Sequence, residues 1–496
     1  MTVDIASLVS DNLDVWTTAV ERKSGVGRGG KRVDLYGLNQ LRSLILALAV
    51  NGKLVGGNVS VKHGVLDDVG DWISGNAFPK GFQGSSTGDV PFLKVSDMNL
   101  PGNEREITVF NNSVSPAALK SMRARAHPAG TIIFPKIGGA IATNKRRILS
   151  KPSAIDNNCA GQIPRMGINP DWLFMVLTSI DMSAYQAGTS VPALNMKRLA
   201  QHAIAIPDEK GQTRIIEKVD ELMALCDTLE RESAAAMAAH QELVEALLAT
   251  LTTCTDAVDL ATNWARLEAH FDTLFTTEAS VDALKQTVLE LAVSGRLVPN
   301  SASAKQGTLD DVGVWVGGNG FPKQYQGNAT GEVPFLKVSD MNLPGNEREI
   351  TVANNWVSRE ALKSMKARAH PAGTIIFPKI GGAIATNKRR ILSVSAAIDN
   401  NCAGQVPAKG INIDWLFMVL SSIDMAQYQA GTSVPALNMR RLAKHAIAIP
   451  DEAAQKVIVA RVHDMMSLCD MLIERLAGSV ETQRHLADTI VELAVA

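Results

Sequence analysis

The 496-residue sequence lacks any run of 18 or more apolar residues, so it predicts no helix that crosses a membrane. Its first residues, MTVDIASLVSDNLDVW, contain acidic side chains and no basic stretch ahead of an apolar one, a pattern that excludes a secretory signal peptide. We therefore expect a cytoplasmic protein without membrane contact. At 46% hydrophobic residues, the chain has enough apolar material for two or three ordinary domains.

Cysteine is scarce, and the pattern of the few cysteines excludes two kinds of site. None of the five forms a C-x-x-C pair; they are Cys159, Cys226, Cys254, Cys402 and Cys469. Isolated cysteines argue against a structural zinc site and against a disulfide framework. They suit a reducing compartment such as the cytosol.

Catalytic motifs are also missing, since the sequence contains neither H-E-x-x-H nor G-x-S-x-G. Residues 24–32 (SGVGRGGKR) formally contain G-x-G-x-x-G and nearly form a Walker A loop. Both motifs need a preceding strand, whereas the residues before this segment have a helical pattern, so we interpret it as a flexible basic linker. His127 and His202 lie in contexts typical of structural histidines. We therefore expect no enzyme activity, no metal site and no cofactor bound by this chain.

An internal repeat dominates the sequence. Residues 41–253 reappear as residues 284–496 with a constant offset of 243, and residues 124–150 recur letter for letter as 367–393. Packing alone tolerates apolar exchanges of similar volume, and surface loops tolerate still more change. Because polar loop residues match as well as core residues, we infer that both copies bind the same ligand. A duplex nucleic acid is the simplest ligand that offers two equivalent sites.

The net charge of −1 hides two basic regions. Residues 89–205 contain 13 Lys and Arg against 7 Asp and Glu, and residues 332–448 contain 14 against 8. Two regions of equal positive charge on an acidic remainder are typical of phosphate binding.

Each repeat has three parts: a short helix (residues 41–55 and 284–298), a lobe of strand-like runs, and a long helix. The first long helix is predicted from Gln212 to about Leu251, with apolar residues spaced 3 and 4 apart at Ile215, Val219, Leu222, Cys226 and Leu229. This seam favours pairing of the two long helices; a helix lying on its own lobe is the alternative. The C-terminal VELAV echoes LELAV at 289–293, as in a closed ring cut open.

The sequence thus predicts an α+β fold. Two globular α/β lobes are separated by two long antiparallel coiled-coil helices, with pseudo-two-fold symmetry and circular organisation. The predicted segments are an N-terminal helical segment, the first lobe, the central long helix with linker helices, the second lobe, and the C-terminal long helix. Their limits are 1–62, 63–208, 209–300, 301–451 and 452–496.

Two segments of each lobe are candidates for nucleic-acid contact. Pro135–Arg147 has a glycine pair that lets the backbone approach a ligand, followed by three cations; Gly188–Arg198 is polar and basic. Lys and Arg neutralise phosphates, Arg forks onto guanine, and Asn pairs with adenine. Solvated or capped turns are the alternatives. The candidates in the first copy are Lys136, Gly138, Gly139, Thr143, Asn144, Lys145, Arg146, Arg147, Lys197 and Arg198. Those in the second copy are Lys379, Gly381, Gly382, Thr386, Asn387, Lys388, Arg389, Arg390, Arg440 and Arg441.

The order of motifs resembles the specificity subunit of type I restriction–modification systems. The motifs are GDWISGNAF (70–78), VPFLKVSDM (90–98), GTIIFPKIGG (130–139), GTSVPALNMKRL (188–199) and IPDEKGQTRIIEKVDELMALCD (206–227), and residues 34–55 are similar to one subgroup. The likeness covers both lobes and both long helices. The chain departs from the family in having one proline rather than two, and only the Gln of a Glu-Gln pair, before each long helix, which concerns capping of that helix.

This resemblance implies that each lobe is a target recognition domain that reads one half of a bipartite site in double-stranded DNA. The long helices would space the lobes and dock two methyltransferase (M) subunits, which restriction (R) subunits join. S-adenosylmethionine, ATP and Mg would belong to those partners.

Because the lobes are nearly identical, we expect identical half-sites, inverted to form an interrupted palindrome. The copies differ at Phe110/Ala353, Ser113/Trp356, Pro116/Arg359 and Arg165/Ala408, where the half-sites would diverge if these residues touch bases. A stand-alone two-lobed DNA-binding regulator and a scaffold for two copies of a protein ligand are the alternatives.

Overall fold

The computed structural model describes residues 5–18, 20–22, 32–56, 59–85, 87–188, 191–254, 257–297, 304–431 and 434–495. The chain divides into two compact units. Unit 1 comprises Met1–Met237 and Val480–Ala496, and unit 2 comprises Ala238–Ser479. The C-terminal residues therefore pack with the N-terminal lobe, which confirms the predicted circular organisation.

The first lobe, in unit 1, is built on a five-stranded sheet with strand order Gly70–Ser74, Cys159–Pro164, Ile132–Pro135, Arg147–Leu149 and Glu106–Ile107. Neighbouring strands are antiparallel except the last pair, in which Glu106 and Ile107 run parallel to Ile148 and Leu149. The lobe also contains three shorter sheets. One consists of Ala154–Ile155, Val90–Leu93 and Ser113–Val114, the second of Gln186–Ala187 and Ala193–Leu194, and the third of Ala203–Pro207 and Val61–Val65.

The second lobe, in unit 2, repeats this topology. Its five-stranded sheet has the order Gly313–Gly317, Cys402–Pro407, Ile375–Pro378, Arg390–Leu392 and Glu349–Ile350. One shorter sheet consists of Trp356–Val357, Val333–Leu336, Ala396–Ile398 and Ala369–His370. The second consists of Lys305–Thr308 and Ala446–Ile449, and the third of Gln429–Ala430 and Ala436–Leu437. Each lobe also has equivalent helices: Pro116–Ser121, Pro170–Ser179 and Met196–Ala200 in the first, and Arg359–Ser364, Ile413–Ser422 and Met439–Ala443 in the second.

Outside the lobes the described elements are mainly helical. The first long helix spans Glu209–Thr253 and the second spans Glu452–Val495. We call Tyr36–Val50 and Glu278–Val293 the first and second bracing helices. The remaining helices are Ile5–Asp11, Leu13–Thr17, Ala257–Ala269 and Phe271–Leu274, and Val20–Arg22 pairs with Arg32–Asp34 in a hairpin.

The first bracing helix fixes the direction of the first long helix in unit 1. Arg42 forms an ion pair with Asp227 at 2.6 Å, and further along the chain the Gly56 carbonyl accepts a hydrogen bond from Arg214 at 2.8 Å. Residue numbers therefore rise on one segment as they fall on the other, so these two elements are antiparallel.

The same bracing helix runs parallel to the end of the second long helix. The Tyr36 hydroxyl donates to the Asp488 carboxylate at 2.7 Å, and the Lys53 ammonium donates to the Val495 carbonyl at 3.0 Å. Within unit 1 the two long helices are consequently antiparallel, as the sequence predicted.

The predicted seam is the apolar face of both long helices. Ile215, Val219, Leu222 and Cys226 are buried in the core of unit 1 together with the bracing helix, several lobe residues and Ala487 from the second long helix. Their equivalents Ile458, Val462 and Cys469 are buried in the core of unit 2, which also contains Val244, Leu248 and Leu251. Both interpretations of the seam therefore hold in part, because the buried seam of each long helix shares a core with its own lobe and with residues of the other long helix.

Several predicted limits differ from the structure. The helix predicted over residues 41–55 begins earlier, at Tyr36, and ends at Val50, two residues before Gly52, which has the left-handed φ of +67°. The predicted limit between residues 62 and 63 cuts through the strand Val61–Val65. Before the basic linker, residues 20–22 form a strand rather than the helix we expected. Most of that linker, residues 24–31, lies outside the described residues. No helix in the described ranges is long and apolar enough to cross a membrane.

Candidate nucleic-acid interface

The two segments predicted to contact nucleic acid lie side by side in the first lobe. The Gly138 N–H donates to the Pro192 carbonyl at 2.7 Å, and the Leu194 N–H donates to the Lys136 carbonyl at 2.9 Å. Ile137 and Ala193 form a β-bridge between these two bonds. Segments more than 40 residues apart in sequence thus form one continuous surface.

The second lobe has the same junction. The Gly381 N–H donates to the Pro435 carbonyl at 2.7 Å, and the Leu437 N–H donates to the Lys379 carbonyl at 2.9 Å. We call the surface formed by residues 136–147 and 188–198 the first basic face, and its equivalent, formed by residues 379–390 and 431–441, the second basic face. Residues 189, 190, 432 and 433 lie outside the described part of the chain.

The glycine pair of the first basic face serves two different purposes. Gly138 has a φ of +82°, a conformation that strains any residue with a Cβ, so the turn itself requires glycine. Gly139 has no such φ, and a Cβ placed there would meet no heavy atom within 4 Å. The lobe therefore has room for a side chain at position 139, so packing within the lobe does not explain the glycine. A glycine at such a position is expected where a ligand approaches the backbone closely.

The three consecutive cations are not equivalent, and the prediction that all three contact DNA is wrong for the middle one. Arg146 is only 2% exposed, and its Nη2 donates to the Ile180 carbonyl at 2.5 Å. Burial lowers the pKa of this guanidinium to about 10 because a charge loses hydration inside the lobe. Arg389 is also only 2% exposed, and burial lowers its pKa to about 10.

The flanking cations are partly buried and already bonded within the lobe. Lys145 donates to the Asn99 side chain, and the Arg147 Nη2 donates to the Met98 carbonyl at 2.8 Å. Burial lowers the pKa of Arg147, while nearby Glu104 opposes that shift. In the second lobe, Lys388 and Arg390 make the equivalent bonds.

Asn144 shapes the turn rather than presenting a free amide. It has a left-handed φ of 54°, and its side-chain oxygen accepts a hydrogen bond from the Met182 N–H at 3.0 Å. Asn387 makes the same bond with the Met425 N–H at 2.9 Å. A two-bond contact with adenine needs that oxygen, so the expected pairing does not fit this conformation.

The exposed positive charge of each basic face comes mainly from residues 188–198 in the first lobe and from residues 431–441 in the second. Lys197 and Arg198 are both exposed, on the short helix Met196–Ala200, as are Arg440 and Arg441 on the equivalent helix. The Asn195 side chain caps the first helix by accepting from the Arg198 N–H at 3.1 Å. Thr143 and Thr386 are exposed as well, whereas Lys136 and Lys379 are half-buried.

A tyrosine–histidine pair, which our sequence analysis missed, supports the exposed arginine. The Arg198 guanidinium lies 5.4 Å from the centroid of the Tyr185 ring, and the Tyr185 hydroxyl is 2.5 Å from Nδ1 of His202. Burial lowers the pKa of His202, which keeps the imidazole neutral and suits a role as hydrogen-bond acceptor. The pattern Tyr-x₁₂-Arg-x₃-His recurs in both repeats, with Tyr428, Arg441 and His445 in the same arrangement, and was the available signal.

Gln212 ties the lobe to the first long helix. This side chain is 1% exposed; it accepts from the Asn169 N–H at 2.8 Å and donates to the Pro207 carbonyl at 2.9 Å. Gln455 makes the equivalent bonds with Asn412 and Pro450. The glutamine in the first turn of each long helix therefore holds the helix at a fixed place on the lobe.

The described residues contain no cluster of three or more His, Cys, Asp or Glu side chains able to hold a metal ion. The structure instead presents two equivalent lobes, each with a basic face, joined to antiparallel helices. Two basic surfaces of this kind are typical of a protein that binds a polyanion.

The particular family follows from comparison with known proteins. Residues 58–236 and 304–482 match the type I restriction modification DNA specificity domain, so the chain belongs to this family. It is 26% identical to the type I restriction enzyme EcoEI specificity subunit of Escherichia coli, covering 99% of this chain and all of that protein. It is 33% identical to the EcoAI specificity subunit of the same organism, over 60% of this chain and 58% of that one.

Two solved structures are also similar. The HsdS subunit from Thermoanaerobacter tengcongensis shares 15% identity with a TM-score of 0.45, covering 88% of this chain and 96% of that one. A chain from work on complex assembly and conformational transition of the type I R-M system shares 16% identity with a TM-score of 0.47, covering 89% and 99%.

Family membership confirms the resemblance seen in the sequence. Type I specificity subunits recognise DNA and are not enzymes, so this chain is a non-catalytic DNA-recognition subunit.

Proposed function

We propose that the two basic faces grip the two halves of one bipartite site in double-stranded DNA. The observation that supports this most directly is the hydrogen-bonded junction of the two candidate segments, which both lobes share. It joins the segment that contains the exposed cations to the segment that contains the glycine pair. Phosphates would be bound by Lys197 and Arg198 and by their equivalents Arg440 and Arg441, because exposed cations exchange counterions for phosphate at little cost in desolvation.

A salt titration of DNA affinity tests this proposal. We expect replacement of Lys197, Arg198, Arg440 and Arg441 by alanine to weaken binding at every salt concentration. The slope of log affinity against log salt should become shallower by roughly 0.9 for each phosphate that the variant no longer neutralises. Alanine at Lys218 and Lys456, cations on the long helices outside the basic faces, is the control and should leave the slope unchanged. An unchanged slope in the quadruple variant would place the interface elsewhere.

We further propose that the half-sites are identical and inverted. The basic faces share the same residues except for Lys197 and Arg440, so they should read the same bases. The sequence predicts pseudo-two-fold symmetry of the chain, and recognition domains related in that way would match an inverted repeat in DNA. Sequencing of methylated DNA from the source cell should give an interrupted palindrome. An asymmetric motif or a direct repeat would contradict this part of the proposal.

The proposed protein partners are two methyltransferase subunits, joined by restriction subunits, in the cytoplasm. Each unit presents an equivalent pair of exposed leucines on the long helices: Leu225 and Leu486 in unit 1, and Leu468 and Leu243 in unit 2. Leu225 is 42% exposed and Leu468 is 60% exposed. Apolar side chains exposed at equivalent positions favour two equivalent protein-docking surfaces.

Co-purification with the methyltransferase subunit tests these surfaces. We expect Leu225→Glu to remove one bound subunit and the pair Leu225→Glu with Leu468→Glu to remove both, because a buried unpaired carboxylate is costly. Val258→Glu, at an exposed residue of the helix Ala257–Ala269, is the control. Retention of both subunits by the double variant would contradict the assignment.

S-adenosylmethionine, ATP and Mg would be bound by those partners rather than by this chain. A stand-alone DNA-binding regulator is the second candidate. It requires tight, site-specific binding by the isolated chain and no co-purifying methyltransferase, so the same purification distinguishes the two.

A further inference from the structure

Three of the differences between the two lobes lie together beside the core of the five-stranded sheet. Phe110, Ser113 and Lys151 of the first lobe are replaced by Ala353, Trp356 and Val394 in the second. Residues 110 and 113 are distant in sequence from residue 151 but near it in the fold, because the parallel strands Glu106–Ile107 and Arg147–Leu149 lead into residues 110 and 151.

In the first lobe, Phe110 covers the core with its own ring. It packs against an apolar cluster that includes Leu93, Ile107 and Leu149. The Lys151 ammonium lies 4.5 Å from the centroid of the ring, in a cation–π contact. The cluster is thus closed by a phenyl group with a positive charge above it.

In the second lobe the equivalent core is open. Ala353 leaves a cavity of about 90 Å³ lined by Leu336, Ile350 and Leu392, the equivalents of the residues beneath Phe110. Trp356 forms one wall, and its indole N–H donates to the Ala353 carbonyl at 3.3 Å. Val394, at the rim, is 51% exposed. The substitutions have replaced a filled, charged surface with an apolar pocket.

We propose that this pocket of the second lobe, which we call the Trp356 pocket, binds one ring-sized apolar side chain of a partner protein. The first lobe provides the template for the occupant, since Phe110 places a phenyl ring on the equivalent core. An apolar cavity of about 150 Å³ accepts benzene, so a ring inserted partway, as Phe110 is, suits a smaller cavity open on one side.

The charge of the pocket favours a protein side chain over a nucleic-acid base. Lys151 of the first lobe is replaced by Val394, so the pocket has lost the cation that a nearby phosphate would require. Its lining is apolar apart from Thr351 and Ser393, whereas a base carries polar edges that need hydrogen-bond partners. A partner that uses this pocket would bind one lobe and not its copy.

The direct test uses 4-fluorotoluene as the probe and fluorine NMR of the full-length chain. We expect saturable binding of one molecule. Ala353→Phe, which restores the first-lobe residue, should abolish binding while leaving the melting temperature and DNA affinity unchanged. The reciprocal triple variant Phe110→Ala, Ser113→Trp, Lys151→Val should bind two molecules. Absence of binding to the wild-type chain, or full binding to Ala353→Phe, would overturn the proposal.

Two further measurements test the class of occupant. In the complex purified with its own protein partners, the probe should no longer bind, because the partner's side chain fills the pocket; full probe binding there would overturn the assignment. Trp356→Ser should leave DNA affinity unchanged. A loss of about tenfold, the size expected when a stacked base is lost, would assign the pocket to DNA instead.

Discussion

At the scale of single residues, the fold gives no reason for glycine at position 139 or at its equivalent, Gly382. A Cβ at either position would meet no heavy atom within 4 Å, and neither residue has a left-handed φ. We therefore expect Gly139→Ala with Gly382→Ala to keep the wild-type melting temperature but to lower DNA affinity by about tenfold, because a methyl group would obstruct close approach of the duplex. Calorimetry and a DNA-binding titration measure the two quantities.

Two other glycines provide controls for this prediction. Gly81→Ala should change neither the melting temperature nor the DNA affinity, since a Cβ at position 81 also meets no heavy atom within 4 Å and the equivalent residue is Gln324. Gly138→Ala should lower the melting temperature, because its φ is +82°. If the Gly139→Ala, Gly382→Ala variant keeps the wild-type DNA affinity, the backbone at these two positions does not contact DNA.

The histidines beside the basic faces make stability depend on pH. Burial lowers the pKa of His202 and His445 from the ordinary 6.5, so the folded chain resists protonation that the unfolded chain accepts. More protons bound by the unfolded state means that stability is complete above about pH 6.5 and falls as the pH drops toward the lowered pKa. We expect the free energy of unfolding to decrease between pH 7 and pH 5.

The variant His202→Gln with His445→Gln separates this effect from other titrations. Its free energy of unfolding should depend less steeply on pH between pH 7 and pH 5, since glutamine cannot titrate. His127 and His370, whose pKa values burial also lowers, would account for a remaining slope. A slope identical to that of the wild type would show that neither replaced histidine resists protonation.

Single residues also mark where prediction from the sequence ends. The two predicted basic segments are hydrogen-bonded to each other in each lobe, but nothing in a run of three consecutive cations distinguishes Arg146 from its neighbours. What distinguishes it is the Ile180 carbonyl, 34 residues away, which holds the guanidinium inside the lobe. A contact of that kind depends on tertiary structure, and no local spacing predicts it.

At the scale of secondary structure elements, the two faces of each long helix have different roles. Ile215 and Ile458 are fully buried, whereas Leu225 and Leu468 are exposed. We expect Ile215→Ala to reduce the free energy of unfolding by roughly 2–4 kcal/mol, because it removes buried methyl groups and leaves a cavity. Leu225→Ala should cost less than about 0.5 kcal/mol. Chemical denaturation measures both, and equal costs would contradict the division into a buried and an exposed face.

The long helices were the most predictable elements. Regular apolar spacing predicted Gln212–Leu251, and the observed helix is Glu209–Thr253. The bracing helix was predicted less well because its first turn is stabilised from elsewhere: Tyr36 bonds to Asp488, more than 400 residues later. Periodicity within a segment reveals which face is apolar, but such a distant partner leaves no local trace.

At the scale of the whole molecule, the circular order makes the chain's last residues part of its first domain. Ala487 is fully buried in the core of unit 1, and Ile490 and Val491 pack against that core. The echo of LELAV in VELAV predicted this arrangement, because equivalent sequences occupy equivalent places. The sequence alone did not show which residues of each long helix belong to which unit.

Deletion of residues 480–496 should consequently destabilise the distant N-terminal lobe more than the lobe that precedes the deletion in sequence. It removes Ala487 from the core of unit 1 and breaks the bonds from Tyr36 to Asp488 and from Lys53 to Val495, whereas unit 2 ends at Ser479. Hydrogen exchange followed by mass spectrometry should show faster exchange in residues 36–50 and near-wild-type protection in residues 375–407. Leu493→Ser, at a residue 75% exposed, is the control and should leave both regions protected. Faster exchange confined to unit 2 would show that the end of the chain stabilises the lobe next to it in sequence, and the ring order would be wrong.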